Sequence, residues 1–171
     1  MGALIIILIV LVVVMIALYN GLVQSRMKVK NAWSQIDVQL QRRFDLIPNL
    51  VETVKGYTKH EESVLTKVTD LRTSWAKAST VHEKAELASE LSNTLKTIMA
   101  VSENYPDLKS HKEIADAIQQ NSYLQREITA ARELYNDTVN TWNRAVYEWP
   151  TKQIVAAKRG YTTRVPFAAS K

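Results

Sequence analysis

The sequence predicts an all-α protein: an N-terminal transmembrane helix followed by an antiparallel bundle of long helices. Three observations carry this. The first 19 residues hold no charged side chain, while all 22 Lys+Arg and all 17 Asp+Glu follow them. From Val29 onward apolar residues recur every three or four positions, the spacing of one helical face. No segment alternates apolar and polar residues between turn signals as a half-buried strand does. A chain of 171 residues suits one domain. It divides into an anchor over 1–21, a helical body over 22–150 and a basic C-terminal tail over 151–171.

Gly2 to Tyr19 is built almost wholly from Leu, Ile and Val. As a helix these 18 residues span about 27 Å, close to the ~30 Å hydrocarbon core. Such a helix has no polar face to offer water, so it sits in lipid or is fully buried. A cleaved signal peptide needs a basic start and a small-residue cleavage site, and neither is present. A lipoprotein needs a cysteine, and the chain has none. Myristoylation needs Ser or Thr where Ile6 stands. The expectation is an uncleaved single span in the inner (cytoplasmic) membrane, with Tyr19 at the interface. Arg26, Lys28 and Lys30 follow it, so the positive-inside rule puts the N-terminus outside and the body in the cytoplasm.

The body's first stripe runs Val29, Trp33, Ile36, Leu40, Phe44, Ile47, Val51 and Val54, and its phase continues through Tyr57, Glu61, Val64, Val68, Leu71 and Trp75. This predicts one long helix over about 22–78, kinked at Pro48, with a full break after Gly56 as the alternative. Thr80-Val81-His82-Glu83 has capping-box spacing and starts a second helix, whose face is Leu87, Leu91, Leu95 and Ile98. Tyr105-Pro106 stops it. A last helix begins near Leu108, carries Ile114, Ile118, Ile128, Ala131, Tyr135, Val139, Trp142, Val146 and Trp149 on its stripe, and ends at Pro150. The tail after it shows no sustained period and leaves room for one short helix.

Composition excludes much chemistry. Without cysteine there are no disulfides, zinc–thiolate sites, iron–sulfur clusters or cysteine nucleophiles. Gly2, Gly21, Gly56 and Gly160 are the only glycines, too few and too scattered for a phosphate loop or a dinucleotide fingerprint. His60-Glu61-Glu62 lacks the second histidine of a zinc helix, since position 64 is Val, and His82 and His111 are isolated. No serine stands in a nucleophile motif. No catalytic residue, metal site or cofactor is expected.

Two stretches resemble the LemA family. The first is Asp37-Val38-Gln39-Leu40-Gln41-Arg42-Arg43-Phe44-Asp45-Leu46-Ile47-Pro48-Asn49-Leu50-Val51-Glu52-Thr53-Val54-Lys55-Gly56-Tyr57, followed by His60-Glu61. The second is Tyr105-Pro106-Asp107-Leu108-Lys109, then Ala131-Arg132, Tyr135-Asn136, Val139 and Asn143, closing on Trp149-Pro150. The resemblance covers essentially the whole chain. It implies a bacterial protein with an N-terminal anchor and an antiparallel helical body, from a family not known for enzymes. One departure stands out: where the family usually has Glu-Asn-Arg ahead of Ile128, this chain has Gln125-Arg126-Glu127.

Polar residues at helical spacing are the candidate sites. Arg42, Asp45, Asn49 and Glu52 share one face at steps of three and four, and Arg132, Asn136, Asn140 and Asn143 form a similar ladder. Each set reads either as a polar seam that fixes helix register or as a partner-docking surface. Glu61 lies on an apolar stripe and requires a partner, an Arg or Asn from a neighbouring helix. Trp33, Trp75, Trp142 and Trp149 read as core, each indole N–H needing one acceptor.

Charge is polarised. Residues 20–44 carry net +4, residues 45–149 net −4 and residues 150–171 net +5. The juxtamembrane cations Arg26, Lys28 and Lys30 suit anionic lipid headgroups of the bilayer. An up-down-up body would put residue 150 far from the membrane, so the tail is expected either to dock on the acidic middle of a neighbouring copy or to stay solvated. Nucleic acid is not expected, because the basic residues form no aromatic-interleaved patch. The expected role is a non-enzymatic membrane-anchored scaffold that self-associates into a homo-oligomer. The alternatives are an adaptor or regulator of another membrane protein, such as a membrane protease, and a membrane-shaping coat.

Overall fold

A computed structural model describes residues 1–54, 61–103, 112–148 and 152–167. Every regular element among them is helical: α1 (Gly2–Val54), α2 (Glu61–Lys77), α3 (Val81–Glu103), α4 (Lys112–Tyr147), a π-helical turn (Lys152–Ala156) and α5 (Ala157–Arg159). α1 is continuous for 53 residues and passes through Pro48 without ending. Its N-terminal part is the one described helix long and apolar enough to cross a membrane, and none of that apolar stretch is buried in the protein. The helices divide between two compact units, one of Met1–Ser34 with Glu133–Pro166 and one of Gln35–Arg132 with Phe167.

In the second unit, the α1 stripe of Ile36, Leu40, Phe44, Ile47 and Val51 is buried, as are Val68, Leu71 and Trp75 of α2, Leu91, Leu95 and Ile98 of α3, and Ile114, Leu124 and Ile128 of α4. Trp75 stacks on Phe44 with ring centroids 4.7 Å apart, and its indole Nε1 donates to Gln41 Oε1 at 2.9 Å. This contact corrects the expectation of one helix over 22–78. In a continuous helix residues 44 and 75 would be about 46 Å apart. The apolar phase persists because α1 and α2 face the same core, not because they share an axis. Gly56 itself lies outside the described residues.

The turn into α3 is the predicted capping box. Thr80 Oγ1 accepts from the Glu83 amide at 3.2 Å, and Glu83 Oε2 accepts from the Thr80 and Ser79 amides at 3.0 and 2.9 Å. These bonds satisfy N–H groups that a helix start leaves without intrahelical partners, and they hold the Glu83 carboxyl below its usual range. α3 then runs parallel to α1: Lys84 pairs with Asp37 and Ser92 with Arg43. α2 returns antiparallel to both, with Lys67 3.3 Å from Glu90.

In the first unit, Trp33 of α1 meets Tyr135 of α4 at 5.6 Å between ring centroids. Further along, Trp142 packs on Tyr161 at 5.5 Å, and the Arg26 guanidinium lies 5.4 Å over that same ring. Moving back along α1 therefore moves forward along α4, so the two are antiparallel. After α5 the backbone reverses at Gly160, whose φ of 63° is the left-handed conformation glycine adopts without steric cost. Tyr161 N donates to Ala156 O at 3.0 Å and Gly160 N to Ala157 O at 3.4 Å, a Schellman closure.

Residues 161–166 then lie along α4 as an extended strap. Trp142 Nε1 donates to Thr162 O at 3.0 Å, and Tyr135 Oη donates to Val165 O at 3.3 Å. Asn143 exchanges two bonds with Arg164: Nδ2 donates to the carbonyl at 2.9 Å and Oδ1 accepts from the amide at 2.8 Å. The expected tail, solvated or docked on a neighbour far from the membrane, is thus replaced by one held on its own chain. Arg159 sits 5.5 Å over the ring of Tyr19, at the membrane-proximal end. The reason is parity: α2 is an additional pass, so α4 runs back toward the anchor.

Candidate functional site: an arginine-lined cleft

The α1 face that builds the core of the second unit also buries a cation. Arg43 lies seven residues after Ile36 and four before Ile47, so the helix turns it inward with them. It is 5% exposed. Its Nε donates to Asn121 Oδ1 of α4 at 2.9 Å, and its Nη1 donates to Ser92 Oγ of α3 at 3.0 Å. Ser92 in turn donates to Ala88 O at 2.8 Å, which fixes its lone pairs toward the guanidinium. Both acceptors are neutral.

Arg43 opens on a cleft of about 590 Å³ between α1, α3 and α4. Arg132 of α4 and Lys96 of α3 also line it, with Ser89, Asn93, Ser122 and Gln125 supplying hydroxyls and amides. No Asp or Glu stands among the described lining residues. Burial, reinforced by the like charge of Arg132, lowers the Arg43 pKa to about 10. Burial also lowers that of Arg132. The Arg132 guanidinium lies 4.5 Å over the ring of Phe167, itself 1% exposed. Chemically the cleft is a hydrogen-bond-donating, positively charged receptor.

The residues expected to form a seam are distributed differently. Arg42, Asp45, Asn49 and Glu52 are exposed, and Asp45 Oδ1 accepts from Gln41 Nε2 at 3.1 Å on the helix surface. The buried arginine is Arg43, one position and about 100° of helical rotation away. Its signal lay in the spacing to Ile36 and Ile47. Arg132 is half-buried in the cleft, whereas Asn136 is half-buried and Asn143 holds the strap, both in the first unit. The ladder therefore serves two different neighbours. The side chain of Glu61 lies outside the described residues, as does Trp149. Trp75 and Trp142 are core residues whose indoles are satisfied as expected.

At the interface, Tyr19, Arg26, Lys28 and Lys30 are all exposed. Arg159 over Tyr19 and Arg26 over Tyr161 are reciprocal cation–π pairs that add tail cations to the juxtamembrane group.

An apolar helix able to cross a membrane once, continuous with an antiparallel all-α body, defines a protein of the single-span helical-bundle class. Residues 32–171 match the sequence profile of the LemA family. The chain belongs to that family. It is similar to Protein LemA of Metamycoplasma hominis, at 26% identity over 156 residues covering 89% of this chain and 69% of that protein.

Proposed function

We propose that this chain is a non-enzymatic scaffold, anchored in the inner membrane by residues 1–21 with its body in the cytoplasm, that self-associates into a homo-oligomer. The supporting observation is the continuity of α1. One helix carries the apolar span and then contributes the stripe on which the body is built, so anchor and body are one element. The collar of Arg26, Lys28, Lys30, Lys158 and Arg159, exposed where the span ends, suits an anionic cytoplasmic leaflet. Apolar side chains from Leu4 to Val14 are covered by nothing in their own chain, which leaves them for lipid or for the span of another copy.

Orientation and assembly are tested together. Because the chain lacks cysteine, a single Lys28→Cys variant gives one labelling site. An impermeant maleimide should label it only after the membrane is opened. Cross-linking in native membranes should give discrete multiples of the protomer. A strictly monomeric protein, or labelling from outside intact cells, would overturn the reading.

A further inference from the structure

We propose that the Arg43 cleft binds a soluble phosphate monoester of about sugar-phosphate size. The starting point is a charge that the protein's own groups do not balance. Arg43 is 5% exposed, yet its two hydrogen bonds go to a neutral amide and a neutral hydroxyl and use two of its five N–H donors. Burying a cation is costly without an opposite charge. The charged group that acts on Arg43 is another guanidinium, that of Arg132. Lys96 adds a third cation to the same lining, and no carboxylate stands among its described residues. Two arginines and a lysine converging in one partly dry concavity reproduce the donor set that recognises phosphate, with guanidinium forks and an ammonium point charge.

The remainder of the lining narrows the ligand. A bound phosphate monoester carries about −1.5 to −2 charge, a better match to three cations than a single carboxylate. The cleft's volume of about 590 Å³ falls in the ~300–1,000 Å³ range of small-molecule sites and exceeds what inorganic phosphate fills. Ser89, Asn93, Ser122 and Gln125 offer the balanced donors and acceptors that a polyhydroxylated body requires. Asn121 and Ser92, held from α4 and α3, fix the Arg43 plane before any ligand arrives, which lowers the ordering cost of binding.

The test uses the full chain in nanodiscs of neutral phosphatidylcholine, with calorimetry and thermal melts. Glucose 6-phosphate should bind saturably and raise the melting temperature. Inorganic phosphate should bind more weakly, and glucose should do neither. Lys96→Ala alters an exposed residue, should leave the fold intact, and should weaken glucose 6-phosphate binding at least threefold. Arg43→Gln keeps a donor for Asn121 but removes the charge; it should retain helical content and lose binding at least tenfold. The proposal is overturned if the wild-type chain binds neither phosphate compound, or if both variants bind as the wild type does. It is also overturned if the response requires phosphatidic acid in the bilayer, since the ligand would then be a lipid headgroup.

Discussion

Asn143 grips the backbone of Arg164 with both ends of its amide, donating at 2.9 Å and accepting at 2.8 Å. The pair acts as one rung of β-pairing made by a side chain, and it holds the strap against α4. Asn143→Ala removes both bonds and should cost about 1 kcal/mol, the lower end for two hydrogen bonds at an exposed site. The readout is local: trypsin should cut after Arg164 several-fold faster in the variant, with helical content unchanged. Equal cleavage rates would show that the strap is held by other contacts.

Trp75 joins three elements: its ring stacks on Phe44 of α1, its N–H reaches Gln41, and the Lys84 ammonium of α3 lies 4.8 Å over it. Trp75→Phe keeps the stacking surface and loses the hydrogen bond, for about 1 kcal/mol. Trp75→Ala leaves a cavity and should cost about 3–5 kcal/mol. Urea unfolding followed by circular dichroism separates the two.

The capping box gives a pH dependence with a defined sign. Hydrogen bonds from Thr80 and Ser79 lower the Glu83 pKa in the folded state below 4.5. A depressed carboxylate stabilises the fold fully above its unfolded value and loses that contribution as pH falls through the folded value. Glu83→Gln should therefore melt below the wild type at pH 7, and the gap should narrow below pH 4.5. A gap constant across that window would remove Glu83 from the acid response. Thr80→Ala, which deletes the other half of the box, should cost about 1 kcal/mol.

Phe167 is a buried anchor at 1% exposure, capped by Arg132. Phe167→Ala should cost about 3–5 kcal/mol, because a large side chain is lost from a packed site. Phe167→Leu retains apolar volume and should cost less than half of that while removing the cation–π contact. Thermal melts of the two variants rank burial against the cation–π term.

Features set by local spacing were legible in the sequence. The Thr80/Glu83 box is confined to four residues, and the apolar stripes of α1 and α4 reflect the 3.6-residue period directly. The span of Gly2–Tyr19 was legible from composition alone. Features set by chain reversal were not. An in-phase stripe looks identical whether a helix continues or folds back, so Trp75 over Phe44 was invisible, and with it the parity that returns α4 to the anchor. Within the cleft, Arg42 and Arg43 differ by one position in sequence. A ladder counted from polar residues selected Arg42, whereas the apolar residues Ile36 and Ile47 place Arg43 inside. The strap has no periodic signal; its only sequence cue was the unsatisfied hydrogen-bonding demand of Trp142.

The two reciprocal cation–π pairs join positions far apart in time as well as in sequence. Arg159 follows Tyr19 by 140 positions, so it leaves the ribosome about 7–28 s later at ~5–20 residues per second. Throughout that interval the span has already reached the bilayer, while the juxtamembrane face of α1 has no strap to cover it. Arg26 and Tyr19 are then available to headgroups or to the nascent chain's other partners, and they exchange those contacts for Tyr161 and Arg159 only when synthesis has passed the strap. Closure of this collar is thus a late event in biogenesis, and a translation product stalled before Gly160 would sit in the membrane with its latch missing.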